Sequence, residues 1–348
     1  MLRGISWKTY LPVVLTLSLA TCNGGGSSNG GESPLPSVQI VALDPAANER
    51  AAAVNTTVKV EFDQTMNPAD SSTFVADGSL SGRLEGMYSG GGTTFLTFAP
   101  DSDFKPGEEV EITLTKGVTS PTGAALDPPF VFRFRAAVSG GDADFTKAPG
   151  SPFGVAGTPS FITTGDLDGD GDLDLAVANS STRNVTVLLN ELSGPGGGFS
   201  EALGSPYDVA GEPSSITLGD LDGDGDLDLA VANSTTWNVT VLLNEPGGGF
   251  SGSPYDVDGD PSSITLGDLD GDGDLDLAVA NSTTWNVTVL LNELSGPGGG
   301  FGEALGSPYH VAGEPSSITP GDLDGDGGLD LAVANSSTVN VTALLNGP

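Results

Sequence analysis

One cysteine, one histidine and eleven Lys or Arg are all that this 348-residue chain holds of those residue types. The single thiol, Cys22, excludes an intrachain disulfide, so other forces must stabilise the fold. A lone His310, with no Ser or Cys partner at a telling spacing, reads as incidental to chemistry. Eleven basic residues against 46 acidic ones leave a net charge of −35. Such a balance argues against nucleic acid or an anionic membrane surface as partner, because phosphate binding needs a basic face. No Lys or Arg follows Arg183, so nearly half the chain is purely acidic. Also missing are a nucleophile elbow, a phosphate-binding loop, a zinc motif and an acid/base pair that stands apart from the acidic clusters.

What is present begins with an address. Arg3 and Lys8 precede a short apolar run from Leu11 to Ala20. At roughly ten residues the run is too short to span a bilayer, where about 20 are needed, and it reads as an export signal. It ends in Leu19-Ala20-Thr21-Cys22, which resembles the lipobox of bacterial lipoproteins. That resemblance implies cleavage before Cys22, lipidation of its thiol, and a membrane contact made only through the anchor. Residues 23–36, rich in Gly and Ser with two prolines, read as a flexible tether.

Residues 37–138 hold seven short runs rich in β-branched or aromatic residues, at 37–43, 56–62, 73–76, 82–88, 93–99, 109–115 and 131–136. Most alternate, as in Val58-Lys59-Val60-Glu61-Phe62, which gives one buried and one solvated face. Turn signals such as Asn67-Pro68 and Lys105-Pro106-Gly107 separate them, and the count suits an Ig-like sandwich. The stretch from Val60 to Pro68, with Phe98-Ala99-Pro100 later, resembles the bacterial Ig-like domains of surface-layer and adhesin proteins. It implies a spacer or stalk.

Residues 144–348 are an internal repeat. Gly-Asp-Leu-Asp-Gly-Asp-Gly begins at Gly165, Gly219, Gly267 and Gly321, so the intervals are 54, 48 and 54 residues. The repeats run about 145–198, 199–249, 250–300 and 301–348. Periods near 50 point to propeller blades or a similar β array, and each unit divides into four strand-like pieces. The array opens on an outer-type strand, 145–155, phased so that it could complete the last unit and close a ring; the alternatives are an incomplete array that pairs with another chain and an array cut from a longer one. The fold class is therefore all-β: an Ig-like sandwich followed by a four-repeat propeller-type array.

The chemistry sits in the pattern Asp-x-Asp-x-Asp-Gly-x-x-Asp. In unit 1 this is Asp166, Asp168, Asp170, Gly171 and Asp174, with Asp172 at position 7. Carboxylates at positions 1, 3, 5 and 9 converge, position 7 adds its carbonyl, and the glycine permits the tight wrap. Oxygen donors without Cys or His select Ca2+ over softer metals. Unit 2 repeats the set at Asp220, Asp222, Asp224, Asp226 and Asp228, and unit 3 at Asp268, Asp270, Asp272, Asp274 and Asp276. Unit 4 keeps Asp322, Asp324, Asp326 and Asp330 but has Gly328 at position 7, which spares a site ligated there through backbone. Position 12 is Val177, Val231, Val279 and Val333 where an EF-hand needs a bidentate Glu, so that motif is rejected. About four calcium ions are expected, with stability dependent on them.

Phe-x-x-Gly-Ser-Pro-Tyr, the Asp-rich loop, Leu-Ala-Val-Ala-Asn and Asn-Val-Thr-Val-Leu-Leu-Asn together resemble the FG-GAP/VCBS repeats of bacterial surface proteins, akin to the integrin α-chain propeller. The resemblance implies calcium in strand-connecting hairpins. Trp237 and Trp285 stand at equivalent places past the second hairpin turn, suited to stacking on a sugar or a protein partner, or else to packing between blades. The repeated Asn-x-Ser/Thr triplets at Asn179, Asn184 and Asn238 read as strand and turn ends. The expectation is a calcium-binding, lipid-anchored or secreted bacterial surface protein. It would bind an extracellular protein or carbohydrate without catalysis. The alternatives are a secreted propeller hydrolase and a purely structural surface component.

Overall fold

A computed structural model describes residues 37–138, 145–192, 197–293 and 300–347. The export signal, Cys22 and the tether fall outside these residues. No α-helix occurs among them.

The first strands are β1 (Ile40–Asp44), β2 (Val58–Phe62), β3 (Phe74–Gly78), β4 (Gly82–Arg83), β5 (Gly86–Ser89), β6 (Phe95–Pro100), β7 (Glu109–Leu114) and β8 (Phe130–Arg135). They form two antiparallel sheets, β1-β2-β6-β5 and β4-β3-β7-β8. The run expected over 82–88 is split in two, and its halves join different sheets. Alternation works as read: Val58, Val60 and Phe62 are buried on β2 while Lys59 and Glu61 are only half-buried. Between the sheets, Phe62, Phe74, Phe98 and Phe134 are fully buried, with Phe74 and Phe98 rings 6.2 Å apart. The second sheet departs from simple amphipathicity. All five residues of β3 and five of six in β7 are buried, including Asp77, Glu111 and Thr113 on the polar side. A sheet buried on both faces must have a second partner.

That partner is the repeat array. Unit 1 comprises β9 (Pro159–Gly165), β10 (Asp174–Asn179), β11 (Asn184–Asn190), β12 (Phe199–Glu201) and β13 (Tyr207–Asp208). Unit 2 has β14 (Pro213–Gly219), β15 (Asp228–Asn233), β16 (Asn238–Asn244) and β17 (Phe250–Asp256). Unit 3 has β18 (Pro261–Gly267), β19 (Asp276–Asn281), β20 (Asn286–Asn292), β21 (Phe301–Glu303) and β22 (Tyr309–His310). Unit 4 has β23 (Pro315–Gly321), β24 (Asp330–Asn335) and β25 (Asn340–Leu344). Each is an antiparallel meander. The outer strand is interrupted in units 1 and 3 but continuous in unit 2, because the shorter 250–255 connection leaves no residues to bulge out.

The apolar clusters lie between units. Ala176, Ala178, Val185 and Val187 of unit 1 meet Ile216, Leu229 and Val231 of unit 2, and the same positions meet across units 2/3 and 3/4. Polar ties repeat in step. Ser160, Ser214 and Ser262 hydroxyls donate to the carbonyls of Pro213, Pro261 and Pro315 in the following unit. Side chains of Asn244, Asn292 and Asn346 donate to the carbonyls of Leu167, Leu221 and Leu269 in the preceding loop. Each unit is thus half a core, which is why repeats stack.

The ring does not close through 145–155. This segment forms no strand and packs onto unit 1, with Phe153 against Phe199 at 5.2 Å, while unit 4 keeps three strands. The segment takes the partner next to it in sequence, unit 1. Nor is the Ig-like domain a free stalk: residues 37–348 make one compact unit, with the Ig-like sheet lying over the Asp-rich loops.

Candidate calcium centres and what covers them

Each Asp-rich loop joins the first strand of a unit to the second. Wrapping it needs two left-handed residues: Gly169 and Gly171 have φ of 73° and 96°, and the same pair recurs in every unit. Short bonds lock the coil. Asp166 Oδ2 accepts from the Gly171 amide at 3.1 Å, and Asp170 Oδ1 accepts from the Asp172 amide at 2.8 Å.

Positions 1, 3 and 9 come together. One carboxylate oxygen from each of Asp166, Asp168 and Asp174 lies within 4.8 Å of the others, as do those of Asp220/Asp222/Asp228, Asp268/Asp270/Asp276 and Asp322/Asp324/Asp330. Position 5 (Asp170, Asp224, Asp272, Asp326) and position 7 (Asp172, Asp226, Asp274, Gly328) lie outside these triads and shape the loop, the amide of each position 7 donating to its position 5. Position 9 has a second task. Asp174 accepts from the amides of Leu167 at 2.7 Å and Asn190 at 2.8 Å, tying the loop to the third strand.

Gathering carboxylates away from water makes them hard to ionise. Burial raises Asp174 and Asp220 to about 6, Asp268 to about 7, Asp228 to about 8 and Asp276 to about 9. Asp166 Oδ1 is buried and has no hydrogen-bond partner among the described residues. An all-oxygen donor set, an orphaned carboxylate oxygen and clustered charge that resists ionisation fit a hard divalent cation. In each unit positions 1, 3 and 9 would hold it, and Ca2+ there would neutralise charge and stiffen the hairpin.

The sequence gives no hint of what lies against the loops. Lys105 Nζ sits 2.6 Å from Asp166 Oδ2, placing an ammonium on a ligand carboxylate of loop 1. Gly82 lies so close to loop 2 that a Cβ would meet the Gly225 carbonyl oxygen at 2.8 Å. Arg83 donates to the Gly273 carbonyl at 2.8 Å and pairs with Asp77 at 3.0 Å. Thr113 donates to Asp268 Oδ2 at 2.7 Å, and Glu111 accepts from the Asp268 amide at 3.1 Å. The Val131 amide donates to the Gly327 carbonyl of loop 4 at 2.8 Å. All four loops touch the Ig-like domain, which sets Lys105 on loop 1 and Arg83 on loop 3. Burial also raises Asp77 to about 8, against the pull of Arg83.

Trp237 and Trp285 sit at the opposite end of each sheet from the loops, between the second and third strands. They are 53% and 50% exposed, so packing between blades does not account for them. Both have left-handed φ, 55° and 56°, as do Arg183 and Val339 at the same place. Beside them Asn179, Asn233, Asn281 and Asn335 end their strands, each donating to the following Asn and Thr side chains, as in Asn233 to Asn238 at 2.9 Å and to Thr240 at 2.9 Å. The Asn-x-Thr triplets therefore finish strands and turns. His310 forms the end of β22, paired with Asn286.

Residues 166–231, 220–279 and 268–333 match the family described as FG-GAP-like repeat, and residues 36–136 match the family described as bacterial Ig-like domain. No curated protein matches the chain. Among solved structures, a protein from Lactobacillus plantarum is 15% identical, covering 86% of this chain and 83% of its own, with a TM-score of 0.36. BBS1N, solved in complex with ARL6DN, is 13% identical over 86% of this chain and 81% of its own, with a TM-score of 0.34. Native alpha-2-macroglobulin from Escherichia coli, domains MG0-NIE-MG1, is 11% identical over 88% and 96%, with a TM-score of 0.24. FG-GAP-like repeats and a bacterial Ig-like domain are thus both found in this one chain.

Proposed function

We propose that this is a calcium-stabilised binding protein of the bacterial cell surface, lipid-anchored through Cys22 or secreted, whose array takes an extracellular protein or carbohydrate without catalysis. The observation that carries the reading is the pair Trp237 and Trp285. Both are half-exposed on adjacent units, at the end the Ig-like domain leaves open, in a backbone conformation a tryptophan occupies at a cost. Flat amphipathic rings at a regular interval suit stacking on sugar rings or anchoring a protein loop. Calcium would act at a distance from that surface, by holding the hairpins that present it.

The test is a glycan and protein array probed with the full chain, in calcium and after chelation. Binding that needs calcium and is lost in Trp237→Ala/Trp285→Ala supports the reading. Absence of any ligand leaves the purely structural role. A hydrolase reading needs basic groups near the metals, and Lys105 and Arg83 do stand there, though both are engaged by Asp166, Asp77 and Gly273. Release of sugar or phosphate from a polymer by the calcium-loaded chain would favour it instead.

A further inference from the structure

The two ends of the array are unlike its middle. Ile216, Ile264 and Ile318 face the preceding unit and are 4–6% exposed, but their counterpart Ile162, on unit 1, is 56% exposed. Val185, Val239 and Val287 face the following unit and are fully buried, while Val341 of unit 4 is 68% exposed. Leu167 and Leu221 likewise contrast with Leu323, at 51%. These end faces are the two halves of an interface the chain makes three times internally. The polar ties stop with them: the Ser316 hydroxyl reaches no following unit, and the Asn190 side chain reaches only its own loop.

The segment before unit 1 says what fits there. Phe145-Thr-Lys-Ala-Pro-Gly-Ser-Pro-Phe153 has the spacing of Phe199–Tyr207 and Phe301–Tyr309, the outer strands of units 1 and 3. It already rests on unit 1 as an outer strand rests on the unit that follows it. Phe153 stacks on Phe199 as Tyr207 stacks on Phe250 and Tyr255 on Phe301. The Ala156 amide donates to Thr186 at 3.2 Å as the Ala210 amide donates to Thr240 at 3.1 Å. The segment is thus held in the posture of an outer strand belonging to a preceding unit that this copy does not contain. Its Phe145 ring is 93% exposed. Among the described residues, no outer strand lies on β25 of unit 4, and Tyr309 has no aromatic partner such as Phe250 or Phe301 gives its sisters. Beside Tyr309 lies an open hollow of about 470 Å³ lined by Leu291, Ala304, Leu331 and Leu344.

We propose that copies of this chain join end to end, unit 4 of one against unit 1 of the next, with 145–155 of the second copy becoming the outer strand of the first copy's unit 4. The internal registers fix the pairing. Tyr207 pairs with Val185 and Asp208 with Asn184, so Phe153 of one copy pairs with Val341 of the other and Gly154 with Asn340. Phe145 enters the hollow beside Tyr309. Ser316 meets the Pro159 carbonyl, and Asn190 meets the carbonyl of Leu323. The contact is heterologous, using a different surface on each copy, and it covers the bare edge of β25.

Sedimentation of the full chain in calcium buffer tests this. The wild type should show at least twice the mass of one chain, and Ile162→Lys and Val341→Lys should each sediment as single chains. An equimolar mixture of the two variants retains one intact face on each partner and should return to twice the chain mass. Phe145→Asp, at a side chain 93% exposed among the described residues, should also abolish association while leaving the far-ultraviolet circular dichroism unchanged. A wild type that stays single at its highest soluble concentration would overturn the proposal. So would variants that melt like the wild type yet fail to complement when mixed, or association that survives Phe145→Asp.

Discussion

Single side chains decide how the loops divide their labour. The ammonium of Lys105 lies on Asp166 where a cation's charge is wanted, so it would compete with a calcium ion at loop 1 and at no other loop. Lys105→Met should raise calcium affinity there by roughly tenfold, about 1.4 kcal/mol, and lower the melting temperature of the metal-free chain. Calorimetric titration of the full chain, resolved against the other three loops, reads the first effect and a thermal scan the second. Position 9 is different in kind. Asp276 is buried and accepts from the amides of Leu269 at 2.8 Å and Asn292 at 2.9 Å, so its loss strands two donors as well as a metal ligand. Asp276→Ala should cost about 2–4 kcal/mol in calcium, read from chemical denaturation. Asp274→Ala, one turn away at position 7, should cost far less. The Asp spacing displayed the ligand types plainly. Which oxygens face a metal and which brace the coil depended on hydrogen bonds to amides far along the chain.

Among the elements, the second hairpin turn shows a local conformation imposed by its neighbours. Asn233 and Asn238 clasp side chains across the turn, and residue 237 must then take a φ of 55° whatever its identity. Glycine accepts that geometry without strain. Trp237→Gly and Trp285→Gly should therefore leave the melting temperature unchanged or slightly higher. They should nonetheless remove ligand binding, an outcome that separates a retained binding residue from a packing one. The same scale explains where the strand pattern was readable and where it stopped. Alternation in Val58–Phe62 and the Leu-Ala-Val-Ala-Asn runs mark strands, because one face is apolar in each. In β7 the alternation of Glu109, Glu111 and Thr113 with apolar residues points to a solvated face. Burial of Glu111 and Thr113 there became visible only with the loops docked on them.

Across the whole molecule, acidity and burial oppose each other until a cation arrives. Asp228, Asp268 and Asp276 are raised by burial to about 8, 7 and 9 from the ordinary 3.8. A carboxyl raised on folding favours the folded state below its unfolded value. That advantage is lost as pH climbs through the folded value. The metal-free chain should accordingly melt higher at pH 5 than at pH 8.5, the reverse of ordinary acid denaturation. Saturating calcium binds the charged form and should invert the order, and thermal melts at both pH values, with and without chelator, check it. An absence of basic residues after Arg183 remains true of the sequence, but not of the space around the loops: Lys105 and Arg83 of the Ig-like domain stand against them. From its sequence alone this protein had its two β regions, its four units and its carboxylate sets, because strand alternation, repeat period and ligand spacing are local. Only the tertiary structure decided that the Ig-like sheet caps the loops and that the array stays open. Those outcomes rest on contacts between residues far apart in the chain, from 61 positions for Lys105 and Asp166 to 196 for Val131 and Gly327, and on the seat that 145–155 finds against unit 1.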